Sequence, residues 1–166
     1  MSGTKPFFLL VTGSFAPPRL YDNLVEAMKE KGYELKAIHL PTVGLGPGQG
    51  RDTPPPTMYD DAVHIAKEIE ALADAGREVI LIAHSYGGIP ATESTKGLSV
   101  TERQKAGKKG GLVRLAYKTV LLTTPGHAAY EVLSDMPQEG RPRLETDVST
   151  YSAYENAVFS FVSMCM

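Results

Sequence analysis

Cysteine is nearly missing from this chain. Its 166 residues hold one, Cys165, which excludes an internal disulfide and any cysteine-rich zinc site and makes a reducing, cytoplasmic setting the expectation. An excess of either charge is missing too. Seventeen Lys and Arg face nineteen Asp and Glu for a net charge of −2, so a nucleic-acid surface is not expected, and Lys105, Lys108, Lys109 and Arg114 read as a solvated connector. No apolar run is long enough to cross a bilayer, and Met1 to Pro6 lacks the hydrophobic segment of a secretory leader. Repeats and low-complexity tracts are likewise missing. A composition 42% hydrophobic and 22% charged supplies one core, hence one domain over residues 1–166.

A dinucleotide loop is lacking as well. Gly44-Leu45-Gly46-Pro47-Gly48-Gln49-Gly50 resembles one superficially, but Gln49 stands at the third glycine and Asp52 to Pro56 cannot open the helix that would hold a pyrophosphate. The stretch reads as a flexible rim, and neither cofactor nor metal is called for.

What is present is an apolar run, Val79 to Ala83, that stops at His84-Ser85-Tyr86-Gly87-Gly88. This reads as a nucleophile elbow: a buried parallel strand turns sharply into a helix and lifts the Ser85 hydroxyl out of the sheet on a strained backbone. The turn leaves little room two residues either side of the serine. Ala83 and Gly87 meet that requirement, the alanine adding one methyl to the usual glycine. A strand-to-helix junction whose serine merely caps the helix is the plainer reading of the same residues.

The flanking pattern fits an α/β chain. Pro6 to Val11 is a second continuous apolar run. Pro17 and Pro18 open a helix with Leu20, Leu24, Ala27 and Met28 on one face, closed by Gly32. A strand over 34–40 follows, then a Gly- and Pro-rich loop. Thr57 and Asp60 cap a helix that turns Ala62, Ile65, Ala66, Ile69, Leu72 and Ala73 inward, and Gly76 ends it. A further strand is expected over 115–123. The alternation implies three layers, α/β/α, around a short parallel sheet in the order 34–40, 7–11, 79–83, 115–123. A ligand would sit at the carboxyl ends of these strands, where Gly13, Ser85 and Thr124 to His127 converge.

From Pro6 to about Leu133 the chain resembles the α/β-hydrolase family, in its small esterase and hydroxynitrile-lyase branch and particularly fungal members. Leu81 to Ala91 looks like their elbow, and Gly97-Leu98-Ser99 through Arg103 to Gly110-Gly111 like their connector. The resemblance implies a serine hydrolase acting on a small ester or thioester. It makes Ser85 the nucleophile and the backbone N–H groups of Ser14 (or Phe15) and Tyr86 the oxyanion-hole donors, with Gly13 allowing close approach. Many relatives carry His-Gly where this chain has Thr12-Gly13. The lyases tend to replace the loop glycine with threonine, so Gly13 keeps the esterase form.

In that family the catalytic acid and histidine follow the serine in chain order, after the seventh and eighth strands. Neither is recognised between Ser85 and Met166, so the chain reads as a core truncated after its sixth strand. Of the local histidines, His39 reads as a packed strand residue, His64 as a solvent-facing helix residue, and His84 as leaving the elbow in a different direction from Ser85. His127, in Thr124-Pro125-Gly126-His127, is the candidate base, and Asp135 a candidate acid. A non-catalytic fragment that binds a small apolar ligand or a partner protein is the competing reading. Tyr151 to Met166 has apolar residues enough for a terminal helix, and the last strand, left as an edge, is a route to a homodimer.

Overall fold

The computed structural model describes residues 5–44, 52–127 and 131. Four strands form one parallel sheet: β1 (Phe7–Val11), β2 (Leu35–Ile38), β3 (Glu78–His84) and β4 (Gly111–Lys118), in the spatial order β2-β1-β3-β4. The order is the one the apolar runs imply. Leu10 stands beside Ala37 on one side and Ile82 on the other, and Leu81 beside Leu115. Parallel neighbours require crossovers, and the helices supply them.

The first crossover begins with a 3₁₀ turn at Pro18–Tyr21, where Pro fits the helical N-terminus, and continues as α1 (Asp22–Glu30). Gly32, at φ +72°, closes it. The helix carries Leu24 against the sheet, but Ala27, expected on the same face, is exposed. The short helix packs towards β2, and Met28 in its last turn is half-buried.

The second crossover is α2 (Met58–Asp74), whose Asp60 carboxylate accepts the Thr57 N–H at 2.7 Å, as the capping pair requires. Ala62, Ile65, Ile69 and Ala73 are buried against the sheet. With Leu9, Val11, Val79, Leu81 and Ala83, the helix residues Ile65 and Ile69 form the larger core layer, while Leu10, Ala16 and Tyr21 centre a smaller cluster joined by Ile82. Both faces of β1 and β3 are thus used, as expected of strands that read as continuous apolar runs.

Two departures concern the C-terminal side. The connector after the elbow contains α3 (Gly88–Glu93) and α4 (Val100–Lys105), the latter capped by Ser99, whose Oγ accepts the Glu102 N–H at 3.2 Å. Arg103, on α4, is buried and joins Asp74 at 2.5 Å and the Lys109 carbonyl at 3.1 Å, fastening α4 to the end of α2. The expected strand over 115–123 lies instead at 111–118. Thr119, at φ +46°, breaks the extended chain there. The apolar residues after it leave the sheet, and Leu121 N–H reaches the Ser85 carbonyl at 3.0 Å.

Candidate active site

Ser85 follows directly on β3 and opens a 3₁₀ turn, Ser85–Gly87, that runs into α3. Its φ is +52°, a left-handed value that costs a non-glycine residue about 1–3 kcal/mol and is held only where the surroundings over-determine it. Those surroundings are visible. The Leu121 N–H binds the Ser85 carbonyl, and a Cβ on Gly87 would lie 2.5 Å from the Thr12 carbonyl oxygen and 2.9 Å from Val11 Cγ1. Only hydrogen fits at residue 87.

The loop after β1 packs on this turn from the other side. A Cβ on Gly13 would come within 3.2 Å of Ser85 Cβ and 3.4 Å of His84 Nδ1. Ser14 and Phe15 are exposed, and Phe15 has φ +57°. Ala16 N–H closes the loop on the Gly13 carbonyl at 3.3 Å. The loop and the elbow therefore meet where the spacing of Gly13 and Ser85 implies. Tyr86 is the first residue after Ser85 in the helical turn, where N–H groups lack intrahelical partners.

Three buried polar side chains brace the elbow. Asp61, fully buried in the first turn of α2, accepts the Thr42 N–H at 2.9 Å, the Thr42 hydroxyl at 2.6 Å and the Tyr86 hydroxyl at 3.0 Å. Burial first, and then the Asp61 charge, push the Tyr86 phenol well above its ordinary range. His84 is turned away from Ser85 into the β1 side, with Nδ1 2.8 Å from the Tyr21 hydroxyl. Burial, reinforced by Lys118, lowers its pKa and favours the neutral ring. Tyr21 is raised, chiefly by burial.

The remaining histidines divide. His39 lies just past β2 and its Nε2 is 3.1 Å from the Val43 carbonyl, so it serves the local loop. His64 is half-buried on α2 rather than solvent-facing. His127 is more than half exposed, and its Nδ1 meets the Glu131 carboxylate at 2.5 Å. A cleft of about 490 Å³ runs between α2, α3 and the segment after β4, lined by Met58, Tyr59, Tyr86, Ile89, Thr92, Glu93, Leu122, Thr123, Pro125, Gly126 and His127. Tyr86 and His127 thus share one cleft. Ser85 itself is not among its lining residues, and among the described residues no side chain hydrogen-bonds to the serine. Asp135, most of the glycine-rich rim and Tyr151 to Met166 lie outside the described residues.

Sequence reasoning missed Asp61, Tyr21 and Glu131. Asp61 follows Asp60 of the capping pair with nothing in the local pattern to set it apart, and nothing there marks Tyr21. Glu131 stands four residues after His127, a spacing that brings side chains together on a helix. Among the described residues, no group of three or more His, Cys, Asp or Glu is placed to hold a metal ion, and no helix is long and apolar enough to cross a membrane.

Comparison with known proteins agrees with this geometry. The profile of the alpha/beta hydrolase family matches residues 8–162. The Phoma sp. protein named "Probable hydrolase R7" is 34% identical over 125 residues, 75% of this chain and 46% of that protein. The Aspergillus novofumigatus protein named "Alpha/beta hydrolase nvfD" is 31% identical over 124 residues, again 75% and 46%. This chain therefore spans about half the length of these relatives. Among solved structures, tomato methylketone synthase I, complexed with 2-tridecanone, superposes with a TM-score of 0.58 at 20% identity, covering 80% of this chain and 46% of that one. An extracellular α/β-hydrolase from a Paenibacillus species gives 0.58 at 15%, covering 93% and 52%. With the sheet order, the strained serine after β3 and the glycine loop after β1 already pointing the same way, the matches settle the matter of kinship: the chain belongs to the α/β-hydrolase family.

Proposed function

We propose that this chain is the nucleophile-bearing part of a serine hydrolase acting on a small ester or thioester. The observation that carries the reading is Ser85, held at φ +52° after β3 with the Gly13 loop packed against it. Ser85 Oγ attacks the substrate carbonyl carbon, and its proton passes to a base. The N–H groups of Ser14 and Tyr86 bind the developing oxyanion. Collapse expels the alcohol or thiol, and water then releases the acid from the acyl-serine. His127, oriented by Glu131 at the cleft both it and Tyr86 line, is the base we assign within the described residues. The apolar cleft residues Met58, Ile89 and Leu122 favour a small apolar group on the substrate. A cytoplasmic setting and self-association through the β4 edge belong to the same reading.

A second reading is favoured by one observation: no described side chain hydrogen-bonds to Ser85, and His84 is committed to Tyr21. On it, the cleft binds a small apolar ligand or a partner protein without turnover.

An activated phosphonate followed by mass spectrometry separates the two. Labelling confined to Ser85 and lost in Ser85→Ala is expected; labelling spread over Ser14 and Ser99, or unchanged in that variant, overturns the assignment. On p-nitrophenyl acetate, oxyanion stabilisation and binding alone give a rate about 10³ to 10⁴ above water, far below a complete triad. Stronger, Ser85-dependent turnover that disappears in folded His127→Ala assigns the base to His127. Retention of that turnover removes His127 from the mechanism.

A further inference from the structure

The oxyanion loop and the elbow come from different strands, and a hole made from both works only if their separation is fixed. One buried pair spans the gap. The Tyr21 hydroxyl accepts the Gly13 N–H at 3.2 Å and lies 2.8 Å from His84 Nδ1, on the residue preceding Ser85. Both rings are buried and meet edge to face, with centroids 5.9 Å apart. The Tyr21 oxygen accepts from Gly13, and the direction of its second bond follows the His84 tautomer. With Nδ1 bare, donation runs from Gly13 N–H to Tyr21 and from Tyr21 O–H to His84.

We propose that Tyr21 and His84 are positioning residues that clamp the Gly13 loop to the Ser85 turn and so set the alignment of the oxyanion donors with the nucleophile. The arrangement requires His84 as the tautomer with a bare Nδ1, consistent with its burial and with Lys118 disfavouring the charged ring. It also assigns the Gly13 N–H to structure, which leaves the oxyanion role to the next amide, Ser14. Tyr21 is itself packed in one cluster with Leu10 of β1 and Ile82 of β3 as well as Ala16, so the clamp is anchored on the sheet as well as on the loop it holds. The role in alignment rests on the serine-hydrolase reading; the clamp itself does not.

The test uses the wild type, Tyr21→Phe, His84→Asn and His84→Leu. In the wild type, nitrogen NMR is expected to show His84 Nδ1 unprotonated; a protonated Nδ1 overturns the proposal with no variant made. In Tyr21→Phe, which keeps the ring, Gly13 amide exchange is expected to quicken by about tenfold, the equivalent of one lost hydrogen bond. Phosphonate labelling of Ser85 is expected to slow by about 10 to 100-fold, the penalty of a misaligned site. His84→Asn, whose side-chain oxygen takes the place of Nδ1 and can still accept from Tyr21, should keep both close to wild type; His84→Leu should not. Unchanged Gly13 exchange in Tyr21→Phe overturns the clamp, and faster exchange without slower labelling overturns its role in alignment. If wild-type Ser85 is not labelled at all, the hydrolase reading fails, and Gly13 exchange alone decides the clamp.

Discussion

At the scale of single residues, Asp61 carries the largest unexplained cost and the clearest test. A fully buried carboxylate loses several kcal/mol of hydration, and no cation is paired with it among the described residues. Three hydrogen bonds to the charged group, each contributing about 1.5–3 kcal/mol, offset that loss, and its place in the first turn of α2 adds a favourable dipole. Removing the carboxylate leaves the Thr42 N–H and the Tyr86 hydroxyl without an acceptor. Asp61→Ala is therefore expected to lose about 2–4 kcal/mol, a drop of roughly 4–16 °C in the thermal midpoint at this chain length. Asp61→Asn, which keeps an acceptor for Thr42, should lose less. A midpoint for Asp61→Ala within about 2 °C of wild type would show that desolvation had cancelled the bonds. The sequence hid this residue for a physical reason. Whether an aspartate beside a helix cap is solvated or buried depends on partners 19 and 25 positions away, and no local pattern reports them. Arg103 is hidden in the same way, by Asp74 and the Lys109 carbonyl.

Among elements, what governs the site is how closely β1, the elbow and the segment after β4 approach one another. Gly87 has φ −56° and ψ −15°, a backbone in which alanine is comfortable and even favoured by about 1 kcal/mol. Space opposes it, because the new Cβ would meet the Thr12 carbonyl, a backbone atom that cannot rotate away. Overpacking of this kind costs about 1–3 kcal/mol. Gly87→Ala is expected to lower the denaturant midpoint with an unchanged m-value; an unchanged midpoint would mean the strand end yields freely. Ala83 shows the converse, a methyl fully buried two residues before the serine.

The same elements show what patterning can and cannot deliver. Val79 to Ala83 and Phe7 to Val11 were legible because strands buried on both faces read as unbroken apolar runs. The last strand was misplaced because Val120, Leu121 and Leu122 continue the apolar run past Thr119, where the backbone turns out of the sheet. A capping pair at Ser99 and Glu102 announced α4, but the lysines around it drew the reading towards a loop.

For the whole molecule, the sheet edge sets the remaining expectation. Among the described residues β4 forms a ladder with β3, and its only other partner is a single parallel bridge from Leu112 to Ser99 at the start of the strand. Val113 and Tyr117 on the strand are each 43% exposed, and Leu122 beyond it is 49% exposed. An edge with unpaired backbone groups and apolar side chains is a template for another strand. It carries Arg114 and Lys118 as well, and like charges brought together by a second copy weaken pairing without abolishing it, since both side chains can reach solvent. The expected outcome is therefore a reversible, salt-strengthened dimer rather than a permanent one, because added salt screens that repulsion. Sedimentation velocity across a micromolar dilution series should show the monomer fraction falling as salt is raised, and Val113→Lys, which adds a further like charge to the same edge, should shift the equilibrium towards monomer. A monomer at every concentration whose β4 amides nevertheless exchange slowly would give the edge a cover within the chain itself and end the dimer reading. A monomer whose β4 amides exchange fast would end it too, by showing that an open edge in this protein does not recruit a partner.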